Sequence, residues 1–395
     1  MLQPDVITLT NVKEGSSQQL ECEKKAVAEC ATRQDVQGDY TKVVNDLRAR
    51  GYRLRSDRKQ PSLLAKPAWF NKELYDNAKS VYARHFMAIN FAHLSGLLLL
   101  VRVDSIFKTL SSTGESSSVS KLFCRYYQTI MHVKKWYEGD IFEEANEAHR
   151  SLLIVRGMHN RVSSNLNKTS CPAPSDETPV KDAAPKHTSQ SKENLLQDTE
   201  AKHLSEYDIM ITQFAFVGFI VLHAKSVGLV GNFTQHDLDS LLHFWRVICY
   251  YLGASEEFNL CSRQFEDIRG MCNAFVDSEY KRSILANPIS SAPGIMSVNI
   301  VRSIKFIPML TIYGMLKYLY DLLDISTSEF ESRSTRYARL SHYLIGLVMT
   351  KLLGYKLLRM FNNGLVRLSL YLVGTAQNRF ANHLESKHGH ELKAM

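Results

Sequence analysis

FMAINFAHLSGLLLLV, Phe86 to Val101, decides what kind of fold this chain can have. Its sixteen residues include no acid, lysine or arginine, so it is either part of a membrane span or a helix enclosed by the rest of the protein. A span needs about 20 apolar residues, and Asn90 and His93 interrupt this run. The reading is therefore a buried helix. ITQFAFVGFIVL, residues 211–222, is shorter still and reads the same way.

Around these two runs the period is helical throughout. Trp69, Phe70, Leu74, Ala78, Val81 and Tyr82 recur at helical spacing, with Pro67 near the start. DSLLHFWRVICYYLG (239–253) and EFNLCSRQFEDIRGMCNAF (257–275) follow as two further helices joined by a glycine-containing turn. Beyond Pro288 and Pro293 come three apolar and basic stretches, VNIVRSIKFIPMLTIYGMLKYLYDLL, YARLSHYLIGLVMTKLLGYKLLRMF and GLVRLSLYLVG. Alternation of period two is scarce. The expected fold is all-α, a single large helical domain with apolar, basic helices at its C-terminal end.

At 395 residues, 45% hydrophobic and 22% charged, the chain can bury a sizeable core and has a globular composition. Residues 1–60 are polar and read as a peripheral arm, 61–290 as the main helical domain, and 291–395 as a basic C-terminal region. Between about 165 and 203, proline, serine, threonine and lysine dominate and aromatics vanish, so a disordered insertion is expected inside the domain.

MLQPDVITLTNVKEGSS has no basic segment followed by an apolar one, so a cleaved secretory signal is not expected. Seven cysteines, odd in number and without a close CxxC pair, argue against a zinc site or a disulfide framework. A reducing compartment fits, and the sequons at Asn167 and Asn232 are then not expected to carry glycans.

The net charge of +8 is concentrated at one end: from Glu331 onward ten Lys/Arg face three acids. Only eleven residues separate Lys305 from Lys317 and eight separate His342 from Lys351, too few to span a bilayer. Lys351, Lys356, Arg359 and Arg367 interleave with leucine, tyrosine and phenylalanine, as in helices that lie in an anionic interface. Attachment to a membrane surface is expected. Nucleic acid is not, because no binding fold accompanies the charge.

Two helical segments carry polar groups on one face. In KLFCRYYQTIMHVKKWYEGD, Arg125, Gln128, Thr129 and His132 fall at i, i+3, i+4 and i+7. In EANEAHRSLLIVRGMHNRVSSNL, His149, Leu152, Leu153, Arg156, His159 and Asn160 share a broad face. A neutral imidazole such as that of His159 is the commonest proximal ligand of haem iron. Structural roles are also open: Arg125 can pair with Asp140 or Glu143, Thr129 can bond back to its own helix, and His243 and Arg246 can serve as a cap and an ion-pair partner. His383, His388 and His390 lie in a charged tail that reads as solvated rather than metal-binding. There is no GxSxG, HExxH, Walker loop or GxGxxG, so hydrolase, zinc-protease and nucleotide-binding classes lack their signatures.

The ordered series RYYQT, SLLIVRGMHNRV, DIMITQFAFVGF and HFWRVICYYLGASEEFNLC, from about residue 69 to 275, resembles the family that unites bacterial latex-clearing rubber oxygenases with the endoplasmic-reticulum-bound fungal oxygenase mpaB. The resemblance implies an all-α fold around a b-type haem and O2-dependent cleavage of carbon–carbon double bonds in isoprenoid chains. It implies His159 as the proximal iron ligand, and Arg125 with Thr129 as the distal catalytic pair. The family's distal lysine is Gln128 here, which implies an open or water-bound sixth position, and its second histidine is Ser164. Arg156, His243 and Arg246 become candidates to support the haem, by motif position and polarity.

The expected function is a haem-dependent oxygenase that uses O2 on an unsaturated, isoprenoid-like lipid at the cytoplasmic face of an intracellular membrane such as the endoplasmic reticulum. The alternative is a non-catalytic helical protein that binds haem or lipid at a membrane surface. A third reading is a pocket without haem.

Overall fold

The computed structural model describes residues 39–58, 60–168, 201–303, 311–326 and 335–393. Most of the polar arm, the greater part of the 165–203 insertion, and Lys305 and Pro308 in the first of the three C-terminal apolar stretches lie outside the described residues.

A helix over 39–51 (α1) is followed by α2 (Lys72–Arg84), α3 (Phe86–Leu100), α4 (Asp104–Ser112), α5 (Val119–Glu138) and α6 (Glu147–Lys168). Next come α7 (Glu206–His223), α8 (Gln235–Leu252), α9 (Phe265–Phe275) and, after a π-helical turn, α10 (Arg282–Ala286). The chain closes with α11 (Ala292–Ser303), α12 (Ile312–Leu322), α13 (Arg336–Thr350), α14 (Lys356–Thr375) and α15 (Gln377–Lys393). Among the described residues no strand forms, only an isolated bridge between Arg55 and Ser205. The fold is all-α, and one continuous core runs from Val44 to Leu353, crossing both positions where the sequence suggested boundaries.

The helix ends follow local chemistry. Ser118 accepts a hydrogen bond from the Lys121 amide to start α5, and Ser205 with Asp208, and Thr234 with Asp237, form reciprocal capping boxes on α7 and α8. Gly253 ends α8 at φ +106°, where a Cβ would sit 2.1 Å from the Ser56 carbonyl oxygen.

Twelve of the fifteen residues of α3 are buried, including His93 and Gly96. Its partner is α7, the one helix among the described residues long and apolar enough on its own to cross a membrane; 78% of it is buried inside the protein. The two backbones meet at Gly96, where a Cβ would lie 1.8 Å from the Ala215 carbonyl oxygen. A single residue, His85, separates α2 from α3. Asn363 of α14 bridges that break: its Oδ1 accepts from the Met87 amide at 2.9 Å and its Nδ2 donates to the Arg84 carbonyl at 2.9 Å.

Four local expectations are corrected. The segment 257–275 is not one helix: two 3-10 turns precede α9, which begins only at Phe265. Buried Gln213 causes this, donating to Asn259 Oδ1 at 2.9 Å and accepting from the Leu260 amide at 2.7 Å, so tertiary bonds hold the turn. The charged tail with His383 and His388 is helix α15, seated on α5 through Phe380, Ala381 and Leu384. Among the described residues no group of three metal-ligating side chains occurs. Arg359 is not on the basic surface: it is buried and donates to Leu353 O at 3.0 Å and Asn232 Oδ1 at 2.9 Å. Arg367 pairs with Glu138 at 2.7 Å and lies over the Phe86 ring.

The described ends of the 165–203 insertion are tied together. Asn167 Nδ2 donates to the His203 carbonyl at 3.0 Å, and Asn167 Oδ1 accepts from the His203 amide at 2.9 Å. The side chain of the first sequon is thus engaged within the fold.

Candidate functional site

Helix α5 divides two environments. At roughly 100° per residue, Arg125, Gln128, Thr129 and His132 fall on one side, while Tyr126, Ile130 and Val133 fall on the other. Thr129 stands at the edge between them.

The first side faces α6. His132 Nδ1 meets Ser151 Oγ at 2.7 Å, pinning the two helices together. Arg125 donates to Ser116 Oγ at 2.7 Å and, at 3.3 Å each, to Thr113 Oγ1 and the Leu110 carbonyl, which fixes it to the loop after α4. Neither Asp140 nor Glu143 is its partner. Thr129 donates to the Arg125 carbonyl at 3.0 Å, the intrahelical bond open to a threonine in this position.

His159 lies opposite on α6. Burial pushes its pKa down to about 4, and the Arg125 guanidinium adds to the effect, so the ring is neutral near pH 7. Its Nδ1 is buried without a hydrogen-bond partner among the described residues. Arg125 therefore lies within electrostatic reach of His159, across α5 and α6.

The other sequence candidates have structural partners. Gln128 is exposed. Arg156 donates to Gln60 Oε1 and to the Pro61 carbonyl, both at 2.6 Å, clamping the 60–61 turn onto α6. His243 Nε2 accepts from the Asn71 amide at 3.0 Å at the start of α2, between the rings of Trp69 and Phe70. Arg246 pairs with Glu256 and stacks over Trp69, 4.0 Å from the ring centroid.

The second side of α5 lines a cavity of about 770 Å3, within the 300–1,000 Å3 usual for small-molecule sites. Its walls are apolar: Leu94 and Leu97 from α3, Ile130 and Val133 from α5, Phe216 from α7 and Ile345 from α13. Leu365, Leu368 and Leu372 of α14 close it and are each about half exposed, so they form its mouth. Thr129 is the one residue of the polar stripe that reaches this cavity; Arg125 and His159 do not line it.

The sequence reading treated His93 only as an interruption of an apolar run. It lines this cavity, is 4% exposed, and has both ring nitrogens buried without partners among the described residues. Burial pushes its pKa down to about 3. The signal was a lone histidine in a helix whose other polar residues are only Asn90 and Ser95.

No family model matches the chain, and no curated protein matches it. A search of solved structures finds a latex clearing protein in its closed state at 16% identity and a TM-score of 0.44, covering 84% of this chain and 89% of that one. The similarity is distant. It does not extend to the fungal oxygenase of the sequence resemblance.

Proposed function

We propose that this protein is a haem-dependent oxygenase acting on an unsaturated, isoprenoid-like lipid. One observation carries the reading: a half-buried, neutral imidazole, His159, whose Nδ1 is buried and unpartnered among the described residues, stands across from Arg125 in the two segments that carry the oxygenase-like sequence pattern. A neutral imidazole is the form that ligates iron, so the donor present fits a haem held through a single histidine. His159 would hold it, and the haem would supply O2 activation.

The chain's own groups have distinct tasks. Arg125, fixed by three acceptors, keeps a positive charge on the face of α5 turned toward His159, where it can orient an oxygen-bearing group. Thr129 holds its hydroxyl at the edge of the apolar cavity. The cavity keeps water from the chain that fills it, where each exposed CH2 would cost about 0.8 kcal/mol.

The first test is the absorption spectrum of protein expressed with ample haem, beside His159→Ala. The expected result is a Soret band that the substitution removes or shifts. Folded helical protein with no band in either form would defeat the reading.

A second reading, a non-catalytic binder of haem or lipid, is favoured by the intrahelical bond of the Thr129 hydroxyl and by the exposure of Gln128. O2 uptake with an unsaturated isoprenoid, abolished by Arg125→Ala while haem is retained, would decide for the oxygenase. Haem binding with no O2 uptake would decide for the binder.

The same proposal puts the protein on the cytoplasmic face of an intracellular membrane, such as the endoplasmic reticulum. Leu357, Phe361, Leu365, Leu368 and Leu372 form an exposed apolar stripe along α14, and no acid occurs between Arg336 and Leu384. Lys351 and Lys356 flank it, exposed. Such a helix suits an anionic lipid interface. At about 1 kcal/mol per basic residue, Lys351→Ala with Lys356→Ala should weaken binding to phosphatidylserine vesicles about 30-fold, read by co-sedimentation. Equal binding of wild type to phosphatidylserine and phosphatidylcholine vesicles would refute the charge argument.

A further inference from the structure

His93 poses a physical problem. A buried polar atom without a partner costs about 1–3 kcal/mol, and His93 has two such atoms. Its ring neighbours make no hydrogen bond to it. Tyr137 stacks on it at 6.2 Å, while Phe216 and Trp245 present their rings edge-on at 5.2 and 5.4 Å. The polar atoms of two of these are bonded to each other, with Trp245 Nε1 donating to the Tyr137 hydroxyl at 2.8 Å. Asn90, one turn earlier, directs its amide to the Phe86 carbonyl and the Tyr82 hydroxyl. A phenylalanine would suit this aromatic cage better than a histidine, unless something else supplies the missing hydrogen bond.

The cavity offers a side from which such a partner can come, because His93 is part of its wall. His93 is the most buried of the polar residues that line it. The mouth lies at the opposite end of the chain's course, on α14, among half-exposed leucines of the same apolar stripe that suits a lipid interface. Asn90, Thr129, Asn362, Ser369 and two tyrosines complete the polar lining, all of it uncharged at neutral pH. A carboxylate or phosphate would therefore enter without a countercharge.

We infer that the cavity bounded by α3, α5, α13 and α14 binds a long-chain lipid carrying one uncharged hydrogen-bonding group, a hydroxyl or carbonyl, which is received by the imidazole of His93. This deepens the substrate half of the function proposed above and rests on it for catalysis, but binding itself requires neither haem nor O2. The site discriminates for a polar terminus. A pure hydrocarbon fills the walls and leaves His93 unbonded, whereas an alcohol of the same chain fills the walls and satisfies it.

The experiment uses the full chain in the His159→Ala background, so that the result is independent of haem at that position, with farnesol and farnesene as probes in isothermal titration. Farnesol should bind about tenfold more tightly than farnesene. His93→Phe should erase that ratio by weakening farnesol alone, with helical content and thermal midpoint maintained. Leu97→Trp, which fills the cavity, should abolish both. Equal affinity of the two probes, a farnesol preference that survives His93→Phe, or no binding of either probe would each overturn the inference. A Soret band that survives His159→Ala but disappears in His93→Phe would also overturn it, by placing the iron on His93. Absence of a Soret band from the wild-type protein as well, with the farnesol preference intact, would remove the oxygenase reading and leave this one standing.

Discussion

Replacing Gly96 with valine should destabilise the fold by at least about 3 kcal/mol, the upper part of the range for overpacking. A Cβ at this position would lie 1.8 Å from the carbonyl oxygen of Ala215, and that obstacle is backbone in the middle of α7, not a side chain that can rotate away. Relief therefore requires moving α3 and α7 apart, which opens the densest part of the core. The change should appear as a lower urea midpoint with an unchanged slope. Gly364→Ala is the matched control: it lies in α14, an added Cβ meets nothing within 4 Å, and replacing glycine in an exposed helix should stabilise by up to about 1 kcal/mol. If Gly96→Val unfolds no more readily than the control, the close approach of the two helices is wrong.

The second large effect is acid sensitivity. His85 is fully buried and His93 nearly so, and burial pushes their pKa values down to about 4 and about 3. As the pH falls below about 6.5, the unfolded chain takes up a proton at each, while the folded chain does not. Stability is then lost at about 1.4 kcal/mol per pH unit per histidine, continuing until the folded values are reached. Between pH 6.5 and 4.5 the two together cost about 5 kcal/mol, which is comparable with the 5–15 kcal/mol of a typical domain. Asp208 and Glu279, whose carboxyls burial holds above their ordinary range, work in the opposite direction and offset part of this loss. The thermal midpoint should therefore fall steeply below pH 6.5. His93→Phe should remove one proton's worth of that slope. A midpoint that is flat from pH 6.5 to 5 would show that these rings are hydrated or paired in the folded protein.

What the sequence disclosed followed from how each helix is buried. α3 and α7 are enclosed on all sides, so their runs are continuously apolar and readable by composition alone. α15 is held by few apolar residues, Phe380, Ala381 and Leu384, on an otherwise polar helix, and its docking depends on α5, which is distant in sequence. The start of α9 was illegible for a related reason: Gln213 in α7 decides what residues 259–260 do. The Arg125 and His159 stripes were visible as helical periodicity, and their opposition across α5 and α6 followed from two helices joined by a short connection. The cavity was not visible, because its walls come from α3, α5, α7, α13 and α14, and no local pattern marks a space between helices. Likewise Arg359 has the sequence surroundings of a surface cation, and only the approach of Asn232 and the Leu353 carbonyl makes it a buried one.

The paired hydrogen bonds between Asn167 and His203 have a topological meaning. They hold the C-terminal end of α6 and the stretch before α7 against each other, so the helical body joins these two ends without depending on the length of chain between Lys168 and Ala201. Because the entropy of closing a loop varies only slowly with its length, this junction is a natural splice point. A chain cut there should give two fragments that reassemble, and a foreign domain with adjacent termini should be accommodated between Lys168 and Ala201 without disturbing either face of α5.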